Sequence, residues 1–183
     1  RWYTPQSNAN IHDIAQTKVY ETSVEATEQE VIIHVKQSIA APVFQPFVRF
    51  ETQYTVKANG IIQVAVHAEN TAQDFLPRFG MDFTLPSGTE FLEYYGKGPW
   101  ENNIDLCHHV KTGHYKSTVD QEHVDYIRPQ DNGNKTGVKW VCVTDQLGRG
   151  LLIRTKDQFE FKASHYSTQT LQEADHVWDL EKS

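Results

Sequence analysis

An all-β fold, a sandwich or a barrel, is what this sequence predicts, and three observations carry it. Apolar and polar residues alternate with a period of two along most of the chain, as on a pleated strand with one buried face. Gly, Pro, Asn and Asp interrupt those runs at short intervals, where turns are needed. Helical spacing is confined to one short stretch near the C-terminal end. Many strands without interleaved helices can bury their apolar faces only against one another.

The elements follow in order. Val31, Ile33 and Val35 alternate with Ile32, His34 and Lys36, a strand with one buried face. Pro42 and Pro46 interrupt, and alternation resumes from Val48 to Val56, with Val48, Phe50, Thr52, Tyr54 and Val56 on one face. Lys57-Ala58-Asn59-Gly60 carries the Asn-Gly signal of a hairpin, and Ile61 to Ala68 is its return strand. Further strands are expected at Arg78 to Leu85, Thr89 to Tyr95 and Gly113 to Ser117. Val138 to Thr144 pairs with Gly150 to Thr155 across Asp145–Arg149, and Gln158 to Ser164 alternates again. A short helix is expected within Thr168 to His176, where Thr170 and Glu173 have capping-box spacing. The apolar phases of these strands predict a core of Val31, Ile33, Val35, Phe50, Tyr54, Val64, Val66, Phe83, Val141, Val143, Ile153, Phe159 and Phe161.

Bulk properties narrow the function. The 183 residues suit one domain, taken here as 1–183, and are enough to bury a sizeable core. A net charge of −7 without any Lys/Arg block argues against a nucleic-acid partner. No apolar run approaches the roughly 20 residues that span a bilayer, so no membrane partner is expected. Nothing in the sequence reports a compartment. Cys107 and Cys142 are the only cysteines; free thiols are the expectation, and their separation is not that of a Cys-x-x-Cys site.

Two polar segments stand outside the apolar runs. One is Tyr94-Tyr95-Gly96-Lys97-Gly98-Pro99-Trp100-Glu101-Asn102; the other is Tyr126-Ile127-Arg128-Pro129-Gln130-Asp131-Asn132-Gly133-Asn134. Each gathers amides, a carboxylate and an aromatic at a turn, the groups that carbohydrate sites use for sugar hydroxyls and C–H faces. Together with Leu76-Pro77-Arg78-Phe79-Gly80 and Ser164-His165-Tyr166-Ser167, in this order, they resemble the C-terminal small-chain domain of family-two β-galactosidases. The resemblance runs from about Val48 to Leu180. It implies a large two-sheet antiparallel supersandwich, galactose mutarotase-like, with at most one short helix.

It also implies a non-catalytic role. The glycosidase carboxylates of the family lie in a separate barrel domain, and 183 residues hold no alternating strand–helix barrel. The chain would wall the active site, contact the catalytic barrel domain and its own or neighbouring subunits in an oligomeric enzyme, and meet the galactoside only indirectly. Departures from the family pattern are Asp131 where Glu is usual and Leu106 where Arg is usual. The family's opening segment and its Gly-rich pocket loop have no counterpart here, so a fragment of the domain is expected. An independent carbohydrate-binding module or a mutarotase-like epimerase is the alternative.

The candidate residues are weighed accordingly. Trp100, Glu101, Asn102, Gln130, Asp131 and Asn132 are the substrate-proximal candidates, expected on one rim and serving their turns first. No residue is assigned as catalytic. Glu101, Asp105, Glu122, Asp125 and Asp131 are read as turn-binding or water-facing carboxylates. His108, His109, His114 and His123 lack the i,i+2 or helical i,i+4 spacing of a metal site, so no metal or other cofactor is expected. Mutarotase-like acid and base would have to come from His123 with Asp125, or His165 with Glu160. Trp140 and Trp178 are expected in the core, and Trp100 is the best exposed aromatic. No nucleophile elbow surrounds Ser164 or Ser167.

Overall fold

The computed structural model describes residues 15–71 and 80–180. Among the described residues, eight strands form two four-stranded antiparallel sheets with only short helical segments, an all-β chain as expected. It divides into two compact units, Arg1–Met81 and Asp82–Ser183, each holding one sheet.

The first sheet is a simple meander, ordered β1-β2-β3-β4, of β1 (Gln16–Ala26), β2 (Glu30–Ala40), β3 (Val48–Lys57) and β4 (Ile62–Asn70). The Thr27 hydroxyl accepts from the Gln29 and Glu30 amides and shapes the β1–β2 turn. β1 is an element the sequence pattern does not reveal. Its ladder slips between Val19 and Glu21, leaving Tyr20 as an extra residue whose hydroxyl bonds Ser38 Oγ at 2.8 Å. The β3–β4 hairpin lies where Asn59-Gly60 predicts it. Gly60 alone carries the positive φ, 84°, in a three-residue loop closed by Lys57 N–H to Ile61 O at 2.9 Å.

The buried positions of this unit lie on the inner strands β2 and β3, at Ser38, Val48, Thr52 and Thr55, and in the connection between them, at Ala41 and Phe47, while every residue of β1 and β4 is exposed. The predicted core residues Val64 and Val66 are therefore corrected. Both lie on β4, which has a neighbour on one side only, and both are 41% exposed.

The second sheet is ordered β6-β5-β7-β8, from β5 (Phe91–Gly98), β6 (Lys111–Thr118), β7 (Lys135–Thr144) and β8 (Gly150–Phe161). Its core is Leu92, Tyr94, Val138 and Val141, with Tyr115, Val143, Ile153, Phe159, Phe161 and Ala163 packed against it. Five predicted core residues are here: Val141, Val143, Ile153, Phe159 and Phe161. Burying a side chain such as Leu92 contributes about 1.5–3 kcal/mol. β5 and β7 approach closely at Gly96: a Cβ there would lie 2.6 Å from Val138 Cγ2, so only glycine leaves room for that buried valine.

Three further expectations are corrected. Met81–Leu85 forms no strand, and Phe83 is exposed; the alternation Met81, Phe83, Leu85 has no partner ladder, and Pro86–Thr89 turns immediately after it. The start of that expected strand, like Leu76–Phe79 of the quoted motif, lies outside the described residues. Gln158–Phe161 is not a separate strand but the end of β8, whose register to β7 shifts between Phe159 and Arg154. The C-terminal helix α2 (Thr168–Glu173) is capped by Ser167, whose Oγ accepts from Thr170 N–H, rather than by Thr170. A four-residue helix α1 (Val119–Glu122) and a 3-10 turn at Val177–Asp179 complete the elements.

Candidate functional site

The polar segment ending β5 runs into a cis peptide bond between Gly98 and Pro99, then a turn at Trp100–Asn102 and a tight loop bridged at Asn103 and Leu106. The second polar segment connects α1 to β7. Backbone and side-chain bonds join the two. Asn102 N–H donates to Asn134 O at 2.9 Å, and Asn134 Nδ2 donates to Asn102 O at 3.0 Å.

Asn102 is the centre of this junction and is 1% exposed. Its Oδ1 accepts from Thr136 N–H at 3.0 Å and Thr136 Oγ1 at 2.6 Å. Its Nδ2 donates to Lys97 O at 3.1 Å and Trp100 O at 2.9 Å. A buried amide must satisfy two donors and an acceptor, and Asn102 satisfies all of them within the chain. Asn132, also buried, does the same for its own loop. It accepts from Val124 N–H at 3.0 Å and donates to Val124 O at 3.1 Å and Gln130 O at 3.0 Å. Both amides therefore hold turns rather than face a ligand.

The remaining candidates differ in what they present. Trp100 is 69% exposed, and Gln130 and Asp131 are exposed. Asp131 is ion-paired to Lys162. Glu101 is half-buried, and its carbonyl accepts from His109 Nε2 at 3.0 Å. So the junction runs through Asn102, Asn134 and Thr136, whereas Asp131 and Asn132 are tied to Lys162 and Val124.

Glu122 departs from its expected place in a water-facing turn. It is buried at the end of α1 and ion-paired to Lys135, itself 1% exposed, at the start of β7. Lys135 Nζ also reaches Gly133 O at 3.3 Å. Two charges removed from water require such pairing and extra hydrogen bonds. Nearby, burial pushes the Tyr94 phenol above its ordinary range, with the Glu122 carboxylate and Tyr115 adding to the effect. The Tyr94 hydroxyl finds no hydrogen-bond partner among the described residues, so Tyr94 is a core ring rather than part of a sugar platform.

Of the two histidine–carboxylate pairs a mutarotase-like site would need, one is close in space and the other is not. His123 Nε2 lies 3.3 Å from Asp125 Oδ1, with its ring edge-on to Tyr166. His165 does not meet Glu160. Its Nε2 is 3.0 Å from Glu90 Oε2 and 3.2 Å from Asp120 Oδ1, while Glu160 accepts from Asn134 Nδ2. The reason is topological: the chain leaving β8 carries His165 back to the segment before β5 and to α1, where those two carboxylates sit. Among the described residues, no group of three or more His, Cys, Asp or Glu side chains is arranged to hold a metal ion. Trp140 is half-buried beside His114, but Trp178 is 80% exposed and stacked on His176 at 4.4 Å, a correction to its expected core position. Its 3-10 turn is too short to bury a ring against a sheet.

Lys135 is the residue sequence reasoning missed. Its one signal is position: it directly follows the Asn132-Gly133-Asn134 turn and opens a strand.

With this geometry in place, comparison with known proteins identifies the class of molecule. All of residues 1–183 match the family described as Beta galactosidase small chain, and the chain belongs to that family. It is 29% identical to a β-galactosidase of Actinobacillus pleuropneumoniae over 192 aligned positions, covering 100% of this chain and 19% of that protein. Against β-galactosidases of Priestia megaterium and Vibrio cholerae it is 34% and 37% identical, covering 71% and 57% of this chain but 13% and 10% of theirs. The chain thus spans about a fifth or less of the curated relatives it matches.

Proposed function

We propose that this chain is a non-catalytic domain of a β-galactosidase, walling the mouth of an active site whose glycosidase carboxylates reside in a separate catalytic domain. In the intact, oligomeric enzyme that site would hydrolyse terminal β-D-galactosides. One observation carries the reading. The Asn102–Asn134–Thr136 junction spends its polar groups inward and holds a loop whose large apolar side chains, Trp100, Ile104 and Leu106, point away from the core of their own sheet, 64–82% exposed. A loop held rigidly while presenting three large apolar residues within seven positions is suited to contact with another domain. Buried amides and ion-paired carboxylates leave little in this loop pair for bond cleavage.

Two measurements test the reading. In the full-length enzyme, Ile104→Asp and Leu106→Asp should weaken domain assembly or raise KM for a chromogenic galactoside, while the same changes at exposed Val19 and Val24 should not. The isolated chain should hydrolyse no galactoside. Hydrolysis by the chain alone, lost on Glu101→Gln, would defeat the proposal. Tight galactose binding by the chain alone, abolished by Trp100→Ala, would favour an independent carbohydrate-binding module instead.

A further inference from the structure

We propose that Lys97 and Cys107 form an oxidation-sensitive covalent crosslink, a sulfenamide between Nζ and Sγ made when hydrogen peroxide oxidises the thiol. Lys97 sits near the end of β5, and Cys107 lies ten residues on, past the tight Asn103–Leu106 loop. The Lys97 stem runs beside the backbone of Gly137, where a Cβ would lie 3.4 Å from Lys97 Cγ, so the stem is held from one side. Its Nζ donates to Cys107 Sγ at 2.8 Å, and Sγ in turn donates toward Ile104 O at 3.7 Å. At 2.8 Å the two atoms are already closer than the roughly 3–3.5 Å of a near-attack arrangement. Cys107 is only half-buried, which leaves its thiol open to a small oxidant, and a cleft of about 160 Å³ lies on the Lys97 side of the pair, lined by Lys97, Ile104, Thr136, Gln158 and Glu160.

The chemistry balances in two steps. Sulfur attacks one peroxide oxygen and the O–O bond breaks: thiol and hydrogen peroxide give sulfenic acid and water. Lys97 Nζ, after giving a proton to solvent, attacks the sulfenic sulfur. The S–N bond forms as the S–O bond breaks, and the departing hydroxide takes up the amine's second proton as water. Overall, thiol, amine and one peroxide give the sulfenamide and two waters; sulfur loses two electrons and the peroxide oxygens gain them. The other thiol, Cys142, is a poor competitor. It lies on β7 opposite Glu93, and burial, then the Glu93 carboxylate, pushes its thiol up. The new bond would staple the Trp100–Leu106 loop to β5, and thiol reductants would release it.

Peptide mapping of the full-length protein tests this, after treatment with hydrogen peroxide and alkylation of remaining thiols. The expected product joins the Lys97 and Cys107 peptides at about 2 Da below their summed mass, and dithiothreitol restores both. It should be absent from Lys97→Arg and Cys107→Ser, with Cys142 alkylated as before. The wild-type map decides the question even if a variant folds poorly. Cys107 recovered as sulfinic or sulfonic acid beside an unmodified Lys97, or a Cys107–Cys142 disulfide, would overturn the proposal.

Discussion

The two sheets share a strand count and an antiparallel order, yet they are stabilised differently. In the first, consecutive strands pair in sequence order, both outer strands are exposed along their whole length, and three of the buried residues are Ser38, Thr52 and Thr55. In the second, β5 sits between β6 and β7, an aromatic and aliphatic cluster closes on Tyr94, and a buried ion pair and a buried amide fix the connecting loops. Local hairpins are enough to specify the first sheet. The second depends on contacts made by residues tens of positions apart, Asn102 with Thr136 among them. Loops that must hold one shape are found on the sheet whose connections are tied by buried polar bonds.

The sharpest way to break that contrast is at the buried pair. Lys135→Ala strands the Glu122 carboxylate out of water, and removing one partner of such a pair costs about 3–5 kcal/mol. The double replacement Lys135→Met with Glu122→Leu should recover most of that loss, because apolar residues need no partner. Chemical denaturation of the three proteins checks both statements. A single variant as stable as wild type would mean the pair is solvated.

Next in size is the core. Leu92→Ala should cost about 2–5 kcal/mol, as for buried leucines in general. Val66→Ala, at an exposed site on β4, should stay within about 1 kcal/mol. Equal losses would remove the distinction between the sheets. Asn102→Ala should follow, at about 1–3 kcal/mol for the acceptor lost to the buried Thr136 amide and hydroxyl. Hydrogen exchange gives the finer readout: the Thr136 amide should lose protection, whereas amides of the β3–β4 hairpin should not change.

This contrast also explains what could be read in the sequence. Strands β2, β3, β4, β5, β7 and β8 announce themselves because one face alternates apolar residues, and Asn59-Gly60 marks its hairpin. β1 escapes because it is exposed throughout and owes its conformation to the ladder it makes with β2. Met81–Leu85 misleads for the converse reason: it alternates but has no partner. The apparent break before Gln158 is an irregularity in the ladder, which alternation alone reads as a turn. At the site, the turn role of Asn102 and Asn132 was legible from residue type. Burial of Glu122 was not, since a charge enters a core only with a partner, and Lys135 lies 13 residues away.

The smallest expected effect separates two hairpins of the same build. At β3–β4 and at β7–β8, a three-residue loop ends in a glycine with positive φ, 84° at Gly60 and 75° at Gly148. Matching bonds close them, Lys57 N–H to Ile61 O at 2.9 Å and Asp145 N–H to Arg149 O at 2.8 Å. Their side chains differ. Asn59 Oδ1 accepts from Ile61 N–H and carries no charge, whereas Asp145 accepts from the Leu147 and Arg149 amides and pairs with the Arg149 guanidinium at 2.8 Å. The Arg149 backbone N–H, its guanidinium and the Leu147 amide together hold the Asp145 carboxyl below its ordinary value, against a smaller opposing effect of desolvation. A carboxyl whose pKa is depressed in the folded state contributes stability that is present above the unfolded value, about 3.9, and is lost as pH falls through the folded one. The β7–β8 turn should therefore loosen on acidification below that value, while the β3–β4 turn should not. An NMR pH titration should place the Asp145 midpoint below the ordinary Asp value. Over the same range the amide signals of Leu147 and Arg149 should shift, and those of Gly60 and Ile61 should stay still. In Asp145→Asn the acid-induced shifts at Leu147 and Arg149 should disappear. An Asp145 midpoint at or above the ordinary value would show that its hydrogen bonds do not favour the charged form, and the two hairpins would then be equivalent in their response to acid.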